Sequence, residues 1–185
     1  ALVSLALTVP ARAQTVDPSP PNLLAQGAVP TPNSARAAAA DVPHQPNQIL
    51  CVSVMGPHKN AETLVRALRE VRSTHPAARL VFAGSWPDPA YEGKIRELVA
   101  AFDLGSAVEF AGFVARERLD RLYAESRVFC LMSRCESFGI PAIEAQLFGT
   151  PVVSSTVCAI PEICGAGGLF RDPDDMAGTA AALRT

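Results

Sequence analysis

No Cys-x-x-Cys pair occurs among the five cysteines of this 185-residue chain, and its three histidines do not cluster with them. Zinc-built modules need closer ligand spacing, so that class is excluded. No apolar run approaches the ~20 residues that cross a bilayer as a helix. Neither sign of charge is in excess. Sixteen basic residues against 18 acidic ones leave a formal net charge of -2, which removes the electrostatic case for nucleic acid or an anionic membrane as partner. The Gly165-Ala166-Gly167-Gly168 turn has no Lys-Ser or Lys-Thr after it and precedes a strand-like run, so it is not a P-loop.

What is present suits one ordinary globular domain with a sizeable core: 49% of the residues are hydrophobic and 18% charged. Cys51 and Cys130 fall in apolar runs, and the five thiols read as reduced cysteines packed in a cytosolic core. A cytoplasmic location is the expectation. Ala1–Gln14 offers the minor alternative, because a short apolar run is followed there by Ala11-Arg12-Ala13, similar to a signal peptidase site. It has no initiating Met and no basic leader, so it reads instead as part of an upstream segment.

Residues 1–48 differ in composition from the rest. Its prolines, among them Pro18, Pro20, Pro21, Pro30, Pro32, Pro43 and Pro46, and the run Ala37–Ala40 read as irregular structure, a linker or the remnant of an upstream domain. A regular pattern begins at Ile49. Apolar runs at 49–54, 79–84, 107–112 and 127–132 read as strands, followed by 151–155 and 168–172. Between them lie helical patterns: Leu64, Val65, Leu68 and Val71 after an Asn60 cap, then Tyr91, Ile95, Leu98, Val99 and Phe102. Leu119, Leu122 and Tyr123 mark a shorter helix, and Asp174 caps a last one running through Leu183. Strands apolar throughout, alternating with amphipathic helices, imply an α/β fold: a Rossmann-like parallel sheet over residues 49–185, with helices on both faces. Ligands bind such sheets at the carboxyl ends of the strands.

Two carboxylates stand at that edge. Glu136-SFGIPAI-Glu144 places one in the loop after the fourth strand and one inside the next helix. Ser137 reads as the N-cap, Pro141 fits the first helical turn, and Gly149 closes the helix. Free amides around Phe138 and Gly139 suit an anion, helped by the helix dipole. Carboxylates repel phosphate, so Glu136 and Glu144 call for hydroxyls, and a nucleotide-sugar carries both groups. Glu144, between Ile143 and Leu147, needs a partner of its own. Lys59, in the first strand–helix turn, stands against the helix dipole, which an anion sharing the site would explain. His58 beside it is either a phosphate donor or acid–base group, or simply a surface histidine.

PHKN (57–60), SRCESFGIPAIEAQLFGTPVVSS (133–155), IPEICGAGG (160–168) and DPDD (172–175) together resemble the family 4 retaining glycosyltransferases. That resemblance implies the GT-B fold, two facing Rossmann-like domains with the donor between them, and covers the C-terminal donor-binding half. It implies that Lys59 contacts the donor diphosphate and Glu136 the transferred hexose, the two carrying the catalytic assignment. Glu144 would hold the ribose, Phe138 and Gly139 would lend amides, and Phe113 and Val114 would border the nucleobase. A UDP- or GDP-sugar is then the substrate, with no cofactor and no metal. Many members place an arginine where Val54 or His58 stands here, which removes one phosphate clamp.

The resemblance also leaves the acceptor-binding domain unaccounted for, because residues 1–48 are too few to build it, and the closing helix looks cut short at Thr185. The expectation is a chain that binds donor but transfers nothing alone, with peripheral membrane association only through the missing half. The alternative is a non-catalytic nucleotide-sugar-binding subunit that works with a partner chain. A GT-B-like sugar epimerase is a third reading, disfavoured by the register of the two glutamates.

Overall fold

The computed structural model describes residues 30–39 and 41–185, so the readings on Ala1–Gln14 and on Pro18, Pro20 and Pro21 lie outside the described residues. The chain runs α1 (Pro32–Ala39), β1 (Gln45–Val52), α2 (Ala61–Arg72), β2 (Arg79–Ala83), α3 (Pro89–Ala101), β3 (Val108–Gly112) and α4 (Arg116–Glu125). It continues through β4 (Ser126–Leu131), α5 (Ile140–Leu147), β5 (Val152–Ser155), α6 (Ile160–Cys164), β6 (Gly168–Arg171) and α7 (Met176–Arg184). All six strands are parallel, in the order β3-β2-β1-β4-β5-β6. Leu50 pairs with Val81 on one side and Phe129 on the other, and each of these side chains is buried. Burial from both faces is why the strands read as continuous apolar runs.

The order of strands reverses between β1 and β4. Crossovers of one hand then put helices on opposite faces on either side of that point. The contacts agree: α2 packs on α3 and α7, while α4 and α5 pack on one another and on α1. At the reversal the loops after β1 and β4 lie side by side at the carboxyl edge, where a crevice opens.

Several details depart from the sequence reading. Pro32–Ala39 is a helix inside the segment that reads as irregular. Thr31 Oγ1 accepts the Ser34 amide at 3.2 Å, and Ala35 is fully buried. Prolines dominate the composition there, but a cap followed by alanines is enough for two turns once a core receives them. The first strand begins at Gln45 rather than Ile49 because its early residues are polar. Gln48 is nonetheless buried, donating to Glu125 at 3.3 Å and Ser126 at 2.9 Å and accepting from Arg79 at 2.5 Å. The short helix α6 shows no periodicity to read over its five residues.

Three caps also differ. Asn60 stands at the start of α2 with φ 55°, and its side chain donates to the Pro173 carbonyl at 2.7 Å instead of capping. The cap of α7 is Asp175, which accepts the Gly178 amide at 2.8 Å, while Asp174 pairs with Arg134. Helix α5 starts from Gly139, not Ser137. Gly139 has φ 77°, and a Cβ there would lie 3.1 Å from Ile160, so the turn into the helix favours glycine.

The cysteines divide as well. Cys51, Cys130 and Cys164 are buried, whereas Cys135 and Cys158 are exposed, contrary to five core thiols. Burial pushes the thiols of Cys51 and Cys130 up, away from the reactive thiolate. A thiol-reactive chromophore at pH 8 should therefore modify two cysteines rapidly in the folded chain and all five after denaturation. A third fast-reacting thiol would contradict this packing.

Candidate functional site

A cleft of about 530 Å³ opens at the carboxyl ends of β1 and β4. Lys59 enters it from the single 3-10 turn Pro57–Lys59 that follows β1. Glu136 enters from the loop after β4, and its Oε2 lies 2.5 Å from Lys59 Nζ. Ser133 Oγ donates to the same oxygen at 3.1 Å. Among the described residues, Oε1 of Glu136 receives no hydrogen bond. The two loops are tied by backbone, since the Arg134 amide donates to the His58 carbonyl at 2.7 Å. A third loop joins them where the Glu136 amide donates to Cys158 Sγ at 3.4 Å.

The anion that explains Lys59 at a helix start is thus first of all Glu136. An ammonium has three N–H groups, so this pair leaves donors on Lys59 for a second anion. Beside it lies the N-terminus of α5. Among the described residues the amides of Phe138, Gly139 and Ile140 donate to no protein acceptor. Helix dipole and free amides together make this corner attractive to phosphate.

Glu144, one turn into α5, is buried. Its partners come from α4: Arg116 Nη1 donates to Oε1 at 2.7 Å and the Tyr123 hydroxyl to Oε2 at 2.9 Å. Asp120 Oδ1 stands 2.7 Å from the other Arg116 terminal nitrogen, an ion contact off the hydrogen-bond axis. Burial opposes the charge on Arg116, but the hydrogen bond and charge of Glu144, with the charge of Asp120, outweigh it and raise the guanidinium pKa. Burial raises the Tyr123 phenol well above its ordinary value, and the Glu144 carboxylate raises it further. Both donors therefore keep their protons.

All eight residues singled out from sequence line this one cleft: His58 and Lys59 after β1, Phe113 and Val114 after β3, Glu136 after β4, Phe138 and Gly139 at the entry to α5, and Glu144 within it. His58 is exposed. Phe113 and Phe138 are large apolar side chains left open to solvent at 40% and 54%. Arg116 and Tyr123 were not singled out. Arg116 carried the same signal as Lys59, a cation at a helix N-terminus against the dipole. Tyr123 fell on an apolar helical stripe, which gave no sign of its hydroxyl contact. Among the described residues no group of three or more His, Cys, Asp or Glu gathers as a metal site, and no helix is long and apolar enough to cross a membrane.

Residues 35–185 match the family model for glycosyl transferases group 1. The O-antigen chain mannosyltransferase B of Escherichia coli is 34% identical over 131 residues, which are 69% of this chain and 33% of that protein. A GDP-mannose-dependent monoacylated phosphatidylinositol monomannoside mannosyltransferase of Corynebacterium glutamicum is 30% identical over 136 residues, 69% of this chain and 34% of that one. Sucrose-phosphate synthase from Thermosynechococcus elongatus superposes with a TM-score of 0.66 at 33% identity, covering 82% of this chain and 38% of the other. The chain spans about a third of the length of these curated relatives.

Proposed function

Since this chain belongs to the group 1 glycosyl transferases, we propose that it is the donor-binding domain of a retaining, family 4 hexosyltransferase. The full enzyme would move a hexose from a UDP- or GDP-sugar to a hydroxyl of a glycan or lipid-linked glycan. The observation that carries this reading is the Lys59–Glu136 pair facing the free N-terminus of α5, with Glu144 deeper in the same cleft. The need for a nucleotide-diphosphate donor is supported by the kinship to the GDP-mannose-dependent relative.

In this reading the diphosphate lies against Lys59 Nζ and the amides of Phe138 and Gly139. The open Oε1 of Glu136 accepts a hydroxyl of the hexose. Glu144 accepts the ribose hydroxyls, and Phe113 and Val114 flank the base. Transfer with retention breaks the bond between the anomeric carbon and the diphosphate oxygen and forms the acceptor bond on the same face. The acceptor's proton passes to the departing phosphate oxygen. The protein's part is to hold the reactants and to stabilise charge on the leaving diphosphate, chiefly through Lys59 and the dipole of α5.

Calorimetry of the chain against a panel of UDP- and GDP-sugars tests the assignment. One nucleotide class should bind with a dissociation constant below about 1 mM, equivalent to roughly 4 kcal/mol. No heat of binding from a demonstrably folded chain at millimolar ligand would overturn it.

A further inference from the structure

We propose that Arg116 and Tyr123 are positioning residues that set Glu144 to recognise the ribose 2′-hydroxyl, making this chain discriminate ribonucleotides from 2′-deoxyribonucleotides. The inference rests on the nucleotide-sugar reading of the cleft.

Geometry carries it. A carboxylate offers about four lone-pair sites, two on each oxygen. Arg116 occupies one on Oε1 and Tyr123 one on Oε2. One acceptor position therefore remains on each oxygen, the arrangement that two adjacent hydroxyls require. With either donor removed, the carboxylate can turn about its last side-chain bond, and the pairing of oxygen to hydroxyl is lost.

The two donors are built to stay put. They are seven residues apart on α4 and so share one face of the helix, aimed at α5. The Tyr123 ring is fully buried and stacks on Phe148 at 5.6 Å and 14°, which fixes the position of its hydroxyl oxygen. Arg116 is steadied from behind by Asp120, one turn along the same helix. An ordinary strut between α4 and α5 could be made by either contact alone. Two donors placed on different oxygens of one carboxylate at the wall of the cleft make a fixed acceptor.

The test is calorimetry of the full chain with UDP and 2′-deoxy-UDP, and with GDP and 2′-deoxy-GDP. The base that binds more tightly supplies the ratio. The unaltered chain should prefer the ribonucleotide by about tenfold, the scale of one hydrogen bond to a charged group. Tyr123→Phe, nearly isosteric, should cut that ratio to about threefold or less, chiefly by weakening the ribonucleotide. Arg116→Met should cut it further, Arg116→Lys should retain most of it, and Asp120→Asn should fall between.

A merely structural role predicts something else: lower thermal stability and equal weakening of both nucleotides. Equal weakening in Tyr123→Phe and Arg116→Met overturns the proposal. Should Arg116→Met not fold, Tyr123→Phe and Asp120→Asn decide by the same ratio. Glu144→Ala separates the two levels. If it abolishes the ratio while Tyr123→Phe and Arg116→Met preserve it, the positioning role alone is wrong. If Glu144→Ala leaves the ratio intact, the ribose assignment itself falls.

Discussion

Lys59→Met should weaken donor binding by at least about 100-fold and destabilise the fold by about 3 kcal/mol. The binding loss follows from removing the charged donor nearest the free end of α5, where charge-assisted hydrogen bonds to a diphosphate are worth roughly 1.5–3 kcal/mol each. The stability loss has a different origin. Lys59 and Glu136 are only 12% and 11% exposed, and they pair at 2.5 Å. Methionine leaves the Glu136 carboxylate poorly hydrated, with the Ser133 hydroxyl as its remaining side-chain donor. Removing one member of a buried pair costs about 3–5 kcal/mol because the other charge stays behind, and residual solvent access places this site at the low end. Adding Glu136→Gln to Lys59→Met removes that stranded charge. The double variant should recover most of the stability in urea unfolding while binding stays lost. Lys59→Met binding its nucleotide within threefold of the unaltered chain would remove Lys59 from the diphosphate site.

Glu144→Ala and Glu136→Ala should separate the nucleotide from the sugar. Glu144→Ala is expected to weaken free nucleotide and nucleotide-sugar alike, by about 30-fold, since it loses the ribose contacts common to both. It also leaves the Tyr123 hydroxyl buried without its acceptor, so a loss of about 2 kcal/mol in stability accompanies it. Glu136→Ala should hardly change binding of the free nucleotide, but should erase the preference of the site for the nucleotide-sugar over it. Calorimetry with UDP or GDP and the matching sugar conjugates reads both. Identical profiles for the two variants would show that the glutamates do not divide the donor between them.

Much of this site was legible in the chain because its parts announce themselves locally. The strand Leu50-Cys51-Val52 and the strand Val128-Phe129-Cys130-Leu131 are apolar on both faces, which only a covered parallel sheet explains. Gly149 at φ 79° ends α5 where the sequence places that end. Lys59 and Glu136 each lie a few residues beyond a strand, hence at the carboxyl edge whatever the order of strands. The caps were less legible. Ser137 has the right side chain for an N-cap, but the loop is held back by the bonds of Glu136 to Lys59 and Ser133, and the helix enters from Gly139. Asn60 likewise spends its amide on Pro173, in a loop more than a hundred residues away. Such outcomes depend on which distant group packs beside the cap, and no local pattern encodes that.

The two glutamates show where the division falls. Sequence alone determined that one carboxylate sits in a loop and the other in apolar company needing a partner, because helix and strand periodicity are properties of neighbouring residues. The strand order β3-β2-β1-β4-β5-β6 is a property of contacts distant along the chain, and only the tertiary structure decided it. That order sets the loops after β1 and β4 side by side, brings Lys59 Nζ to Glu136, and swings α4 over α5 so that Arg116 and Tyr123 close on Glu144. Ion pairs and hydrogen bonds between such residues act over a few ångströms, so their partners exist only once packing has chosen the neighbours.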